Sequence, residues 1–101
     1  MTAMWARSPG WGVVDRPEEG PHGGSLYAAA LDAGVIHVLQ GPAAATCRAA
    51  LPGRALTEVR DAVAHELGAD PSSVDEEALE ELLVELVEVG VLRREGAPVS
   101  A

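Results

Sequence analysis

From residue 73 to residue 94 the chain reads SVDEEALEELLVELVEVGVLRR, with apolar positions recurring every three or four residues. At 100° per residue, Leu79, Leu82, Leu83 and Leu86 fall on one arc roughly 100° wide, the stripe a core-facing helix needs. Val84 and Val87 lie beyond that arc on one side with Glu80 between them, and Val89 extends the other side. Glu77, Glu81, Glu85 and Glu88 form a solvated back. The pattern predicts a helix that starts near Ser73 or Asp75, with Asp75, Glu76 and Glu77 at its positive end, and stops near Gly90. Upstream, Leu56, Val59, Val63 and Leu67 predict a helix over Leu56–Leu67, with Thr57 as a possible cap and Gly68 as its stop. Gly41-Pro42 suits the opening of a shorter helix from Pro42 to about Leu51, because Pro at the first helical position forfeits no needed hydrogen bond.

The first forty residues follow a different pattern. SLYAAAL and VIHVL are short apolar runs separated by Asp32-Ala33-Gly34, a hairpin signal, and Trp11-Gly12-Val13-Val14 is a candidate third strand. Residues 16–24 read as a loop, because Pro17, Gly20, Pro21, Gly23 and Gly24 crowd into it. Residues 1–8 and 95–101 read as flexible tails around one domain over residues 9–94. Strand, strand, strand, helix, helix, helix predicts an α+β, winged helix-turn-helix-like fold, a three-stranded antiparallel sheet followed by three helices.

Composition narrows the function classes. At 101 residues there is room for one modest core, and with no Phe it must be built mainly from aliphatic side chains. A formal net charge of -9 argues against nucleic acid, which needs a basic surface to release counterions, and suits a basic or neutral peptide partner. One cysteine, Cys47, excludes an internal disulfide and a thiolate-rich metal site. No run is long and apolar enough for a signal peptide or a membrane span, so the expectation is a cytoplasmic protein with no membrane partner. His22, His37 and His65 fall on a loop, a strand and a helix, without the spacing of a metal site. Cys47, on a small-residue helix, reads as a core residue with no nearby His or Asn to make it a nucleophile. Asp70-Pro71-Ser72 lacks the Asp-Ser-Leu of a carrier-protein attachment turn. The chain reads as a binding module without catalytic residues, metal or cofactor.

The third helix carries more apolar surface than this core requires. Val84 and Val87 either pack under the hairpin or line one wall of an open groove. In a meander one outer strand keeps an unpaired edge; if that is Val35–Gln40, its free backbone groups can accept an extended peptide. VIHVLQ carries neither charge nor Pro to guard such an edge.

The segments GVIHVLQGPAAATCRAAL and ALTEVRDAVAHELGADPSSVDEEALEELLVELVEVGVL resemble PqqD-like proteins, the recognition elements of ribosomally made, modified peptides. The likeness covers roughly residues 25–93 and rests on the strand ending in Leu39-Gln40, the small-residue helix, the two later helices and the closing Leu86-to-Leu92 signature. Gln40 stands where Asn is common, and Gly41-Pro42 replaces a polar turn. The resemblance implies a peptide chaperone that binds the leader of a precursor peptide and presents it to a separate modifying enzyme, such as a radical-SAM enzyme, a cyclase or a leader peptidase. It implies strand contacts from Val35, Ile36, His37, Val38 and Leu39 and helix contacts from Glu80, Leu83, Val84 and Val87, with Glu76 and Glu80 facing basic leader residues. Both strand faces are apolar, so which of them lines the groove stays open.

Two alternatives share the architecture. A winged-helix transcription regulator needs a basic recognition helix, whereas the second helix sets Arg60 against Glu58, Asp61 and Glu66. A small dimerising module is the other, since an edge that accepts a leader also accepts a second copy by strand exchange.

Overall fold

The computed structural model describes residues 3–20 and 22–95. The elements run β1 (Met4–Arg7), β2 (Trp11–Arg16), β3 (Ser25–Ala30), β4 (Val35–Gln40), α1 (Pro42–Ala50), β5 (Arg54–Ala55), α2 (Leu56–Leu67), a 3-10 turn (Pro71–Ser73), α3 (Glu76–Val89) and β6 (Leu92–Glu95). Among the described residues the fold is α+β, with two three-stranded antiparallel sheets and three α-helices.

The three helices stand where the apolar periodicity puts them. Asp75 caps α3 by accepting from the Glu77 amide at 3.0 Å. Gly90 ends it at φ 108, where a Cβ would come 3.2 Å from the Trp11 ring. α2 is opened differently from expectation: Thr57 is inside the helix, and Glu58 instead reaches back to accept from the Ala55 amide at 2.9 Å. α1 buries Ala44, Ala45, Thr46, Cys47, Ala49 and Ala50, and these small side chains let it pass close to α2 and α3.

β2, β3 and β4 are the expected strands and form a meander in that order. Its inner face sets Leu26 and Ala28 against the helices. Arg48 of α1 ties this sheet to the helical half: its guanidinium donates to the Asp15 carboxylate at 2.7 Å, to the Gly23 carbonyl at 3.0 Å and to Glu66.

The second sheet, in the order β5-β1-β6, departs from the expected order of strands followed by helices. β5 lies between α1 and α2, and β6 follows α3. Of the expected tail over residues 1–8, residues 1 and 2 lie outside the described residues, and the rest is not free. Met4–Arg7 is the central strand of this sheet, and Trp5, 2% exposed, belongs to the core with the Arg94 guanidinium 5.3 Å over its ring. A four-residue strand shows no periodicity, and its partners lie far along the chain. Glu95, placed in a tail by composition, ends β6; residues 96–101, the rest of that expected tail, lie outside the described residues.

Candidate functional site

The hydrogen-bond phase of the meander can be read from its two ends. Gly41 donates to the Gly24 carbonyl at 2.9 Å, one rung beyond the Ser25–Gln40 pair. Bonded pairs alternate along an antiparallel ladder, so Leu39, His37 and Val35 turn their backbone groups toward β3. At the opposite edge Leu31 donates to the Gly10 carbonyl at 3.0 Å, which assigns Ser25, Tyr27 and Ala29 to bonds with β2 and leaves Leu26, Ala28 and Ala30 for β4. The two phases agree. The N–H and C=O groups of Ile36, Val38 and Gln40 therefore point away from β3, and among the described residues no strand pairs with that edge.

The same alternation sorts the side chains. His37 and Leu39 share the inner face with Leu26 and Ala28, and the His37 ring lies 5.7 Å from that of Trp11. Ile36 and Val38 face outward, 65% and 54% exposed. They extend two rungs, Gly12–Ala29–Ile36 and Val14–Tyr27–Val38, into an apolar outer surface on which Leu31 lies against Gly12. The Tyr27 hydroxyl donates to Glu19 at 2.9 Å, a bond that raises the pKa of the phenol above its ordinary value.

α3 lies against α1, α2 and β6. Just past the end of β4, Pro42 shares a cleft with Ala78, Leu79 and Leu82, while Gly90 at the far end of α3 abuts Trp11 of β2, the opposite edge strand of the meander. The cleft has a volume of 170 Å³ and is completed by Thr46 of α1, Val63 and Leu67 of α2, and Val74 and Asp75. Its walls are almost wholly aliphatic. Two broader hollows, of 540 Å³ along Asp15–Glu19 and 420 Å³ along Glu77, Glu80, Glu81, Val84 and Glu85, are lined mainly by charged residues.

The site residues expected on α3 divide. Leu83 is 0% exposed and belongs to the core, so it cannot touch a ligand while the domain stays closed. Val87 packs partly buried against that core. Val84, 41% exposed, and Glu80 line the acidic hollow, roughly 160° and 200° around the helix from Leu82. They lie on the flank away from the cleft. Glu76 is paired within the chain, its carboxylate 3.4 Å from Arg60. The flank next to Pro42 carries Ala78 and Leu82, and Val89 lies on the same side one heptad on. Sequence patterning assigned Leu82 wholly to the core. Its half-buried state is decided by where α1 starts and α2 ends, which periodicity along α3 does not register.

Cys47 is buried, and desolvation pushes its thiol up to about 12, so it stays protonated at neutral pH. Among the described residues no group of three or more His, Cys, Asp and Glu is placed to hold a metal ion, and no helix is long and apolar enough to cross a membrane. No protein-family model, no curated protein and no solved structure matches the chain.

Proposed function

We propose that the chain is a non-catalytic peptide-recognition module with a winged-helix-like core, which takes up the leader region of a ribosomally made precursor peptide as an added strand on β4 and presents it to a separate modifying enzyme in the cytoplasm. The observation that carries this reading is the open edge of β4. Three consecutive outward-directed positions, Ile36, Val38 and Gln40, offer unpaired backbone donors and acceptors, with neither charge nor Pro to deter a partner strand. Strand addition uses such an edge for affinity and the neighbouring pockets for specificity. The PqqD-like pattern of residues 25–93 points the same way, and the -9 charge favours a peptide with basic residues.

The test is an amide NMR titration with the leader segment of a precursor peptide encoded beside this protein. Strand addition predicts the largest shifts at Ile36, Val38 and Gln40 and slowed hydrogen exchange at those amides. Shifts confined to the acidic back of α3, or none at millimolar peptide, would sink the reading.

A further inference from the structure

We infer that the small sheet β5-β1-β6 carries a docking face for a carboxylate-rich segment of a second protein, held by Arg7, Arg54 and Arg94 on a side of the molecule remote from the β4 edge. The inference rests on the proposed presentation of a bound peptide to a second protein and names the surface that meets that protein. Three observations converge.

The first is the distribution of charge. The strands β1, β5 and β6 hold four of the chain's seven basic residues, all arginine, and one of its 16 acidic residues, Glu95. The sheet therefore carries +3 and the remaining chain -12, against a total of -9.

The second is that these arginines stay unmatched in a chain with acids to spare. Arg48 pairs with Asp15 at 2.7 Å, Arg60 with Asp61 at 3.3 Å and Arg93 with Glu95 at 3.3 Å. Among the described residues Arg7, Arg54 and Arg94 have no carboxylate partner. Residues 1, 2, 21 and 96–101, which lie outside that description, include no Asp or Glu to supply one. Arg16 is also without an ion pair, but it shares its hollow with Asp15, Glu18 and Glu19.

The third is geometry. Residues directly opposite each other across antiparallel strands share a face, so Arg54, Trp5 and Arg94 stand in one rung. Arg7 joins that face two residues along β1. The Trp5 ring supports the Arg94 guanidinium at 5.3 Å, and Arg54 donates to the Ala49 carbonyl at 2.9 Å. Side chains held in this way lose little freedom when a partner arrives, and each guanidinium fork matches a carboxylate. Arg54 and Arg94 flank the central strand, roughly 10 Å apart at about 4.8 Å per strand, which suits successive carboxylates along a chain better than one small anion. A long polyanion such as nucleic acid would run onto the acidic remainder of the molecule, whereas a short acidic segment stays within the sheet. β1 leads into β2 through residues 8–10, and β2 is the edge of the meander opposite β4, so the two partners do not compete for one surface.

The experiment titrates the full chain with a synthetic peptide of alternating Glu and Ser, following arginine Nε–H and backbone amide signals by NMR and affinity by calorimetry. The face predicts shifts at Arg7, Arg54 and Arg94, none at the Ile36, Val38 and Gln40 amides, and an affinity that falls as salt rises. Arg7→Gln combined with Arg94→Gln should weaken binding about 3- to 20-fold, while Arg16→Gln should change it less than about 2-fold. Arg94 also covers Trp5, so Arg7→Gln alone is the second variant. Arg7 is exposed and makes no side-chain hydrogen bond among the described residues. Its change should weaken binding about 2- to 5-fold with Tm unaltered. If the acidic peptide shifts no arginine signal, or if a single-stranded oligonucleotide or inorganic phosphate binds this face more tightly, the docking face is overturned, whatever the leader does at β4. Self-association in sedimentation that the double Gln variant abolishes would overturn it in favour of a second copy. Arginine shifts with the acidic peptide, but no leader-induced shift at β4, would keep the face and remove the strand-addition reading.

Discussion

A proline scan of β4 separates the two sides of the strand. Val38→Pro removes an N–H directed away from β3, whereas His37→Pro removes one directed at Ala28, a buried position. The His37 change deletes a ladder bond and strands the Ala28 carbonyl, a cost of roughly 1–3 kcal/mol before any distortion by the ring. For a domain of this size each kcal/mol moves Tm by about 4–8 °C, so His37→Pro should lower Tm by about 10 °C or more. Val38→Pro breaks no ladder bond; proline is tolerated on an edge strand whose N–H faces out. It forfeits only part of the packing of a side chain already 54% exposed, about 1 kcal/mol or about 5 °C. The order reverses in binding. Loss of one backbone bond to an added strand is worth about 2- to 10-fold, and the ring stands where the partner's carbonyl would approach, so Val38→Pro should weaken peptide binding at least about 10-fold. Differential scanning fluorimetry reads the first contrast and calorimetry the second. Hydrogen exchange on the free protein gives an independent check, with His37 and Leu39 amides protected and Ile36 and Val38 amides exchanging fast. Equal loss of Tm in the two variants, or equal protection at the four amides, would refute the assigned phase of the ladder and with it the open edge.

Other expectations concern the frame that holds the edge. Leu83→Ala should cost about 2–5 kcal/mol by chemical denaturation, as for a fully buried leucine, whereas Val84→Ala should stay within about 0.5 kcal/mol. Arg48→Ala removes the joint between Asp15, Glu66 and the Gly23 carbonyl and should destabilise by about 2 kcal/mol, with the difference shrinking as salt rises because Asp15 is partly solvated. Cys47 should not react with a thiol reagent at pH 8 in the native state. With its thiol pushed up to about 12, the folded chain keeps a proton that the unfolded chain loses from about pH 9, so this residue makes stability fall as pH rises between those values; Cys47→Ala should flatten that part of the alkaline stability curve.

The helices and the meander were legible because each presents a repeating pattern over many residues. Leu79, Leu83 and Leu86 recur at the helical period, and SLYAAA and VIHVLQ are apolar runs separated by a Gly-containing turn. The second sheet was not legible, since Met4–Arg7 and Arg54–Ala55 are too short to show a period and their pairing is set by residues distant in the chain. Of the candidate site, the β4 segment could be named from its apolar run, but the choice of groove face could not, because both faces of VIHVLQ are apolar. On α3 the surplus valines drew attention to one flank, while the open cleft lies on the other.

What the sequence by itself determined is therefore local: helix stripes, the stops at Gly68 and Gly90, the strands of the meander, and a charge that disfavours nucleic acid. These follow from the periodicity of side-chain direction and the conformational limits of single residues. What only the tertiary structure decided is which apolar surface is left without a partner. That is a remainder, fixed by how the start of α1 and the end of α2 meet α3 and by which alternate amides of β4 are already used by β3. Residues 36, 38 and 82 differ little in type from their buried neighbours; only the docking of the elements leaves them at the surface.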